Sequence, residues 1–153
     1  MKPPLTEREQ ERLEALRDYR ILDTPPERAF DDLTALAAYV CDVPIAMVSL
    51  VDSHRQWFKS KFGLEATETS RDVSFCTHAI LQDKILVVKD TLLDSRFAAN
   101  PLVISEPDIR FYAGVPLPSP EAFTPKVIEA KASLNPRHRW RQPGSAGSVS
   151  CPA

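Results

Sequence analysis

No stretch of about 18 consecutive apolar residues occurs anywhere in the 153-residue chain, so the sequence offers nothing to span a bilayer as a helix. The opening Met-Lys-Pro-Pro-Leu-Thr-Glu-Arg-Glu lacks the apolar core of a secretory signal, and a cytoplasmic location is expected. Cysteine is scarce: Cys41, Cys76 and Cys151 are too few and too irregularly spaced for a disulfide framework or a paired-cysteine metal site, and are read as free thiols in a reducing compartment. There is no internal repeat. Positive charge is short where most of the chain lies: residues 1–117 carry 14 Lys and Arg against 19 Asp and Glu, a net of −5, whereas residues 118–153 carry 5 against 2, a net of +3. An acidic main part gives no electrostatic reason to bind nucleic acid or an anionic membrane. What remains, 43% hydrophobic and 26% charged residues, describes one soluble globular domain with a real core.

Read in order, Thr6 to Tyr19 is a charged helix, with Thr6 and Glu9 spaced as a capping box and Leu13, Leu16 and Ile21 as a thin apolar stripe. Residues 1–20 are therefore expected to be a linker or dimer helix, stopped by the prolines at 25 and 26. A second helix is expected over Glu27 to Cys41, packing Phe30, Leu33, Leu36, Ala37 and Val40 on a sheet. Ile45 to Val51 reads as a central strand and Gln56 to Phe62 as its hairpin partner, with Phe58, Ser60 and Phe62 on one side and Trp57, Lys59 and Lys61 on the other. Gly63 to Ser70 reads as a polar loop. Arg110 to Leu117 is the last clear strand, where Gly114 leaves room for a close neighbour. Beyond it, six prolines and an aperiodic Arg137-His-Arg-Trp-Arg run predict a disordered Pro/Arg-rich tail over 118–153, with a weak helix over Lys126 to Leu134.

The stretch from Arg71 to Asp90 carries the chemistry. It predicts a short helix capped by Asp72 or Ser74, with Phe75, Cys76, Ala79 and Ile80 on one apolar face, followed by a buried strand over Ile85 to Val88. Cys76 and His78 are two apart, so on a helix their side chains diverge by about 200°. That spacing argues against one metal gripping both, and against a Cys–His nucleophilic pair. Asp90 to Pro107 is a long connection of the kind that lines a pocket.

Six phrases resemble the GAF domain at the N-terminus of many bacterial sensor proteins: Ile-Leu-Asp-Thr-Pro-Pro-Glu (21–27), Phe-Asp-Asp-Leu (30–33), Ile-Ala-Met-Val-Ser-Leu-Val-Asp (45–52), Arg-Gln-Trp-Phe-Lys-Ser (55–60), Asp-Val-Ser-Phe-Cys-Thr-His-Ala-Ile (72–80) and Arg-Phe-Tyr-Ala-Gly-Val-Pro-Leu (110–117). The resemblance implies an α/β (α+β) fold, an antiparallel sheet flanked by helices, and a non-catalytic role in signal transduction: small-molecule sensing or dimerisation. Such domains usually precede a histidine kinase, a diguanylate cyclase or phosphodiesterase, or another output module. The resemblance ends at Leu117, so residues 21–117 are expected to be an incomplete domain, truncated or frameshifted, lacking its last strand and C-terminal helix. The missing strand would lie between Ile45–Val51 and Arg110–Leu117, leaving two rows of backbone groups without partners unless another chain supplied them.

The candidate ligand-binding residues are Trp57, Phe58, Cys76, His78 and Tyr112; no catalytic residue and no metal ligand is assigned, and the sequence does not identify a cofactor. Trp57, Phe58 and Tyr112 could stack on a bound ring or simply pack. Some relatives attach a linear tetrapyrrole through a cysteine near this place, usually with histidine immediately after it; here Thr77 intervenes. Others reduce free methionine sulfoxide with several pocket cysteines, and this chain offers no plausible pair. Asp52, His54 and Arg55 read as a solvated turn, and the Arg137, Arg139, Arg141 run around Trp140 as weak ground for nucleic-acid contact. The expected partners are a small-molecule ligand and a second copy, an output domain or another chain, with neither nucleic acid nor membrane. The rival readings are the N-terminal fragment of a sensor histidine kinase or cyclic-dinucleotide enzyme that has lost its output domain, and a redox-responsive protein using Cys76.

Overall fold

The computed structural model describes residues 3–117 and 126–132. Six strands form one antiparallel sheet: β1 (Ile45–Val51), β2 (Arg55–Phe62), β3 (Glu68–Ser70), β4 (Leu86–Val88), β5 (Phe111–Leu117) and β6 (Lys126–Ala132), in the order β3-β2-β1-β6-β5-β4. Helices α1 (Glu9–Asp18) and α2 (Arg28–Cys41) pack on one face; α3 (Cys76–Ala79) packs on the other, followed in the chain by the short α4 (Pro101–Ile104). The antiparallel sheet flanked by helices is the architecture that the resemblance implies.

The strand expected to be missing is present. Lys126–Ala132 lies between β1 and β5, with Ala130 opposite both Ala46 and Ala113. The segment read as a weak helix is thus a central strand. Val127 and Ile128 are β-branched, and the open backbone ladders of β1 and β5 reward an extended segment more than an isolated helix turn could. The expected loss of a closing helix and the expected disorder of the tail fall on residues outside the described ones.

Three further expectations are corrected. Helix α2 keeps its bounds, but it buries Thr34 and Ala38 and leaves Leu36, Tyr39 and Val40 exposed at 57%, 82% and 70%. The reason is polar: the Thr34 hydroxyl donates to Ser60 Oγ at 2.8 Å, and the Ser60 hydroxyl donates to Asp31 Oδ1 at 2.6 Å, drawing the small-residue side onto β2. Neither Asp72 nor Ser74 caps α3; Asp72 instead belongs to a single 3-10 turn, Arg71–Val73, capped by Ser70, whose hydroxyl accepts from the Asp72 N–H. At the β4 edge, Ile85 and Val87 are exposed, so the four-residue apolar run is buried only at Leu86 and Val88.

The hairpin carries the most consequential departure. The register between β1 and β2 shifts between Val48 and Ser49, where Val48 faces Ser60 but Ser49 faces Phe58, so Lys59 is the extra residue of a β-bulge. The bulge reverses the phase of β2. Phe58 and Gln56 join the Ser49 and Val51 side, whereas Trp57, Ser60 and Phe62 lie with Val48 and Leu50. Lys59, expected on the wet side, is buried; its Nζ reaches Thr24 Oγ1 at 2.7 Å, the Pro25 carbonyl at 2.8 Å and Glu27 at 2.6 Å.

Candidate ligand site around Cys76

Cys76 opens α3 and is fully buried, in a cluster with Val51, Ala79, Val88, Phe97 and Tyr112. The Phe75 ring is stacked between Phe97, 4.5 Å away, and Tyr112, 5.1 Å away, so aromatic surface closes over the buried Cys76 side chain. Around the Cys76 sulfur converge three donors: Gln56 Nε2 at 3.0 Å, the Ser49 hydroxyl at 3.6 Å and the Tyr112 hydroxyl at 3.6 Å. Ser74 donates from its hydroxyl to Gln56 Oε1 and fixes the amide. The expectation that Gly114 leaves room is met by a neighbour in its own strand: a Cβ there would stand 2.1 Å from Tyr112 Oη, so the phenol lies over the bare glycine.

Among the described residues the knot is made of amide, hydroxyl and thiol groups, and no three His, Cys, Asp or Glu side chains are placed to hold a metal ion. Such a set can offer and accept hydrogen bonds to a small molecule that displaces its internal bonds.

The five residues singled out from sequence are not one site. Cys76 and Tyr112 meet at the sulfur. Phe58 lies on the same sheet face but packs with Ile45, Met47 and Leu64. Trp57 is on the opposite face, against Leu16 and Leu50. His78 diverges from Cys76 as its spacing requires: it is half-buried, its ring edge-on to Phe97 at 4.8 Å. Burial pushes its pKa below the ordinary 6.5, Arg96 pushes it further, and Asp94 partly opposes both. Asp94 also lines an open groove of about 480 Å³ beside the edge strand β4, together with Val87, Lys89 and Leu93.

Gln56, Ser49 and Ser74 were not singled out from sequence. Ser49 alone carried a signal, as the one polar residue in Ile45–Val51. A charged cluster was also missed. Glu9 accepts from Thr6 Oγ1 at 2.7 Å, Arg12 Nη2 at 2.5 Å and Arg71 Nη1 at 2.6 Å; Arg12 Nη1 donates to the Val51 carbonyl at 2.6 Å and Arg71 Nη1 to the Asp52 carbonyl at 3.0 Å. Burial alone would raise the Glu9 carboxyl, but the hydrogen bonds from Arg12, Arg71 and Thr6 outweigh it and hold its pKa at about 2. At the hairpin tip Arg55 is tied to Asp23 at 2.6 Å and to Glu68 at 2.7 Å, in a turn open to solvent.

The family model described as "GAF domain" matches residues 25–121. A cyclic di-GMP phosphodiesterase of Pseudomonas aeruginosa is 40% identical over 121 residues, covering 79% of this chain and 21% of that protein. The chain thus spans about a fifth of the length of that relative. Among solved structures, the GAF domain of an Acinetobacter phosphoenolpyruvate-protein phosphotransferase superposes with a TM-score of 0.54 at 16% identity, covering 80% of this chain and 77% of that one. A free methionine-R-sulfoxide reductase from Neisseria meningitidis, solved with its substrate, superposes with a TM-score of 0.53 at 20% identity, covering 80% and 72%. At such identities the two structures share the fold alone with this chain.

Proposed function

The chain belongs to the GAF domain family, and on that premise we propose that it is a non-catalytic sensory and regulatory domain of bacterial signal transduction. The observation that carries this reading is the hydrogen-bonded knot at Cys76. A buried thiol ringed by an amide and two hydroxyls under stacked aromatic rings is suited to binding. Cys76 and Tyr112 are the ligand-facing residues in this proposal, with Gln56 and Ser49 beside them. Trp57, Phe58 and His78 shape the fold around the chamber.

The domain works as the input part of a longer signalling protein, in the cytoplasm. The phosphodiesterase relative favours an output that turns over cyclic di-GMP above a histidine kinase, because the 40% identity covers 79% of this chain within a much longer protein. Self-association is the second part of the proposal, and the exposed Leu36, Tyr39 and Val40 on α2 support it.

The test has two arms on the full chain. Incubated with cyclic di-GMP, it is expected to give no hydrolysis product, and turnover would contradict the reading. In thermal shift against a panel of cyclic mononucleotides, amino acids and 2-oxo acids, one class is expected to raise the melting temperature, and Gln56→Leu to abolish that rise. A shift that survives Gln56→Leu would move the ligand out of the chamber. A redox reading through Cys76 rests on its thiol alone, and full burial opposes it.

A further inference from the structure

We infer that Arg71 is a latch coupling the Cys76 chamber to helix α1, an inference that rests on reading that chamber as the sensing end. The two arginines and one carboxylate at the end of β1 form a buried cluster with an excess of positive charge: Arg12 and Arg71 are 2% and 5% exposed, and Glu9 is the one carboxylate bonded to both. The cluster is one acceptor short, since Arg71 Nη2 is buried with no hydrogen-bond partner among the described residues. A guanidinium left in that state gains by turning toward any other acceptor, so the contact to Glu9 is one that a small displacement can release.

Arg71 is also where the chamber reaches outward. Its carbonyl accepts from the Thr77 hydroxyl at 3.1 Å and from the Ser74 N–H at 3.1 Å. Ser74 in turn holds Gln56, and Gln56 holds the Cys76 sulfur. A molecule that takes over the hydrogen bonds of Gln56 or Cys76 therefore loosens Ser74 and shifts the single turn carrying Arg71. Helix α1 is poised to respond, because among the described residues its buried apolar side chains are Leu13 and Leu16 and its charged hold on the sheet is the Glu9, Arg12 and Arg71 cluster. Signal at the chamber is thereby converted into docking or release of α1.

The test is amide hydrogen exchange on the full chain without ligand, comparing Glu9→Gln, Ser74→Ala and the double variant. Glu9→Gln is expected to speed exchange over residues 9–18 by about tenfold while β1 amides keep their rates. Ser74→Ala, which touches only the chamber side, is expected to speed the same α1 amides, and the double variant to do less than the product of the two. Should Glu9→Gln fail to fold, Arg71→Lys keeps the charge and loses the forked geometry, and is expected to give the same selective effect. Unchanged α1 exchange in Ser74→Ala, or an equal rise in α1 and β1, overturns the latch. Because no ligand enters this experiment, its failure leaves the sensing reading to be judged by the panel above.

Discussion

The two faces of the sheet are held by different physics. Under α3 the contacts are aromatic stacking and a hydrogen-bond knot of amide, hydroxyl and thiol groups, closed over Cys76. Under α1 and α2 a small apolar cluster of Leu16, Leu50 and Trp57 is joined by buried charged and hydroxyl groups, Lys59 threaded to Glu27, Arg12 against Glu9 and Thr34 against Ser60, with apolar side chains of α2 turned outward. Stacked rings lose contact in proportion to area and give a stiff wall. Charged pairs are directional and depend on pH. The proposed sensing reading assigns ligand contact to the first face and its report to the second.

Substitutions should separate the two. Phe75→Ala removes the ring between Phe97 and Tyr112 and is expected to cost about 3–5 kcal/mol in urea unfolding. Gly114→Ala forces a methyl against Tyr112 Oη and is expected to cost about 1–3 kcal/mol, partly recovered by adding Tyr112→Phe, which deletes the nearest clashing atom. No recovery would mean that the phenol does not lie over the glycine.

Acid should distinguish the faces by window. The folded Glu9 carboxyl is depressed to about 2 from an ordinary 4.5, so its stabilisation is whole above 4.5 and is lost as pH falls toward 2. Glu9→Gln should flatten the stability profile in that range. His78 on the other side has a folded pKa below 6.5, so the fold favours the neutral ring; stability is lost as pH falls below 6.5, and His78→Gln should flatten that earlier slope. The smallest stability effect is expected from Leu36→Asp on the exposed stripe of α2, within about 0.5 kcal/mol for the monomer. The same change should shift the sedimentation profile toward monomer if the stripe is a self-association surface.

Much of this was legible from apolar spacing, and the failures have specific causes. The bounds of α2 and β1 and the burial of Cys76 follow from period and run length. The buried side of α2 did not, because a hydroxyl pair, Thr34 with Ser60, outweighed the larger apolar residues. A bulge at Lys59 is invisible to strict alternation, and it alone moved Phe58 away from Ser60. Strand β6 was misread because Val127, Ala130 and Leu134 also satisfy a helical spacing, and only the ladders of β1 and β5 decide between the two. Gln56 and Arg71 gave no local sign of their role, since each is defined by partners far away in the chain.

The burial of Cys76 behind the stacked rings is tested most directly by thiol labelling of a Cys151→Ser chain under native conditions, with the exposed Cys41 as internal reference. Cys76 can react only when the aromatic wall opens, so it is expected to be alkylated about a hundredfold or more slowly than Cys41. Comparable rates for the two thiols would contradict a chamber sealed around Cys76 and would favour the redox reading in its place.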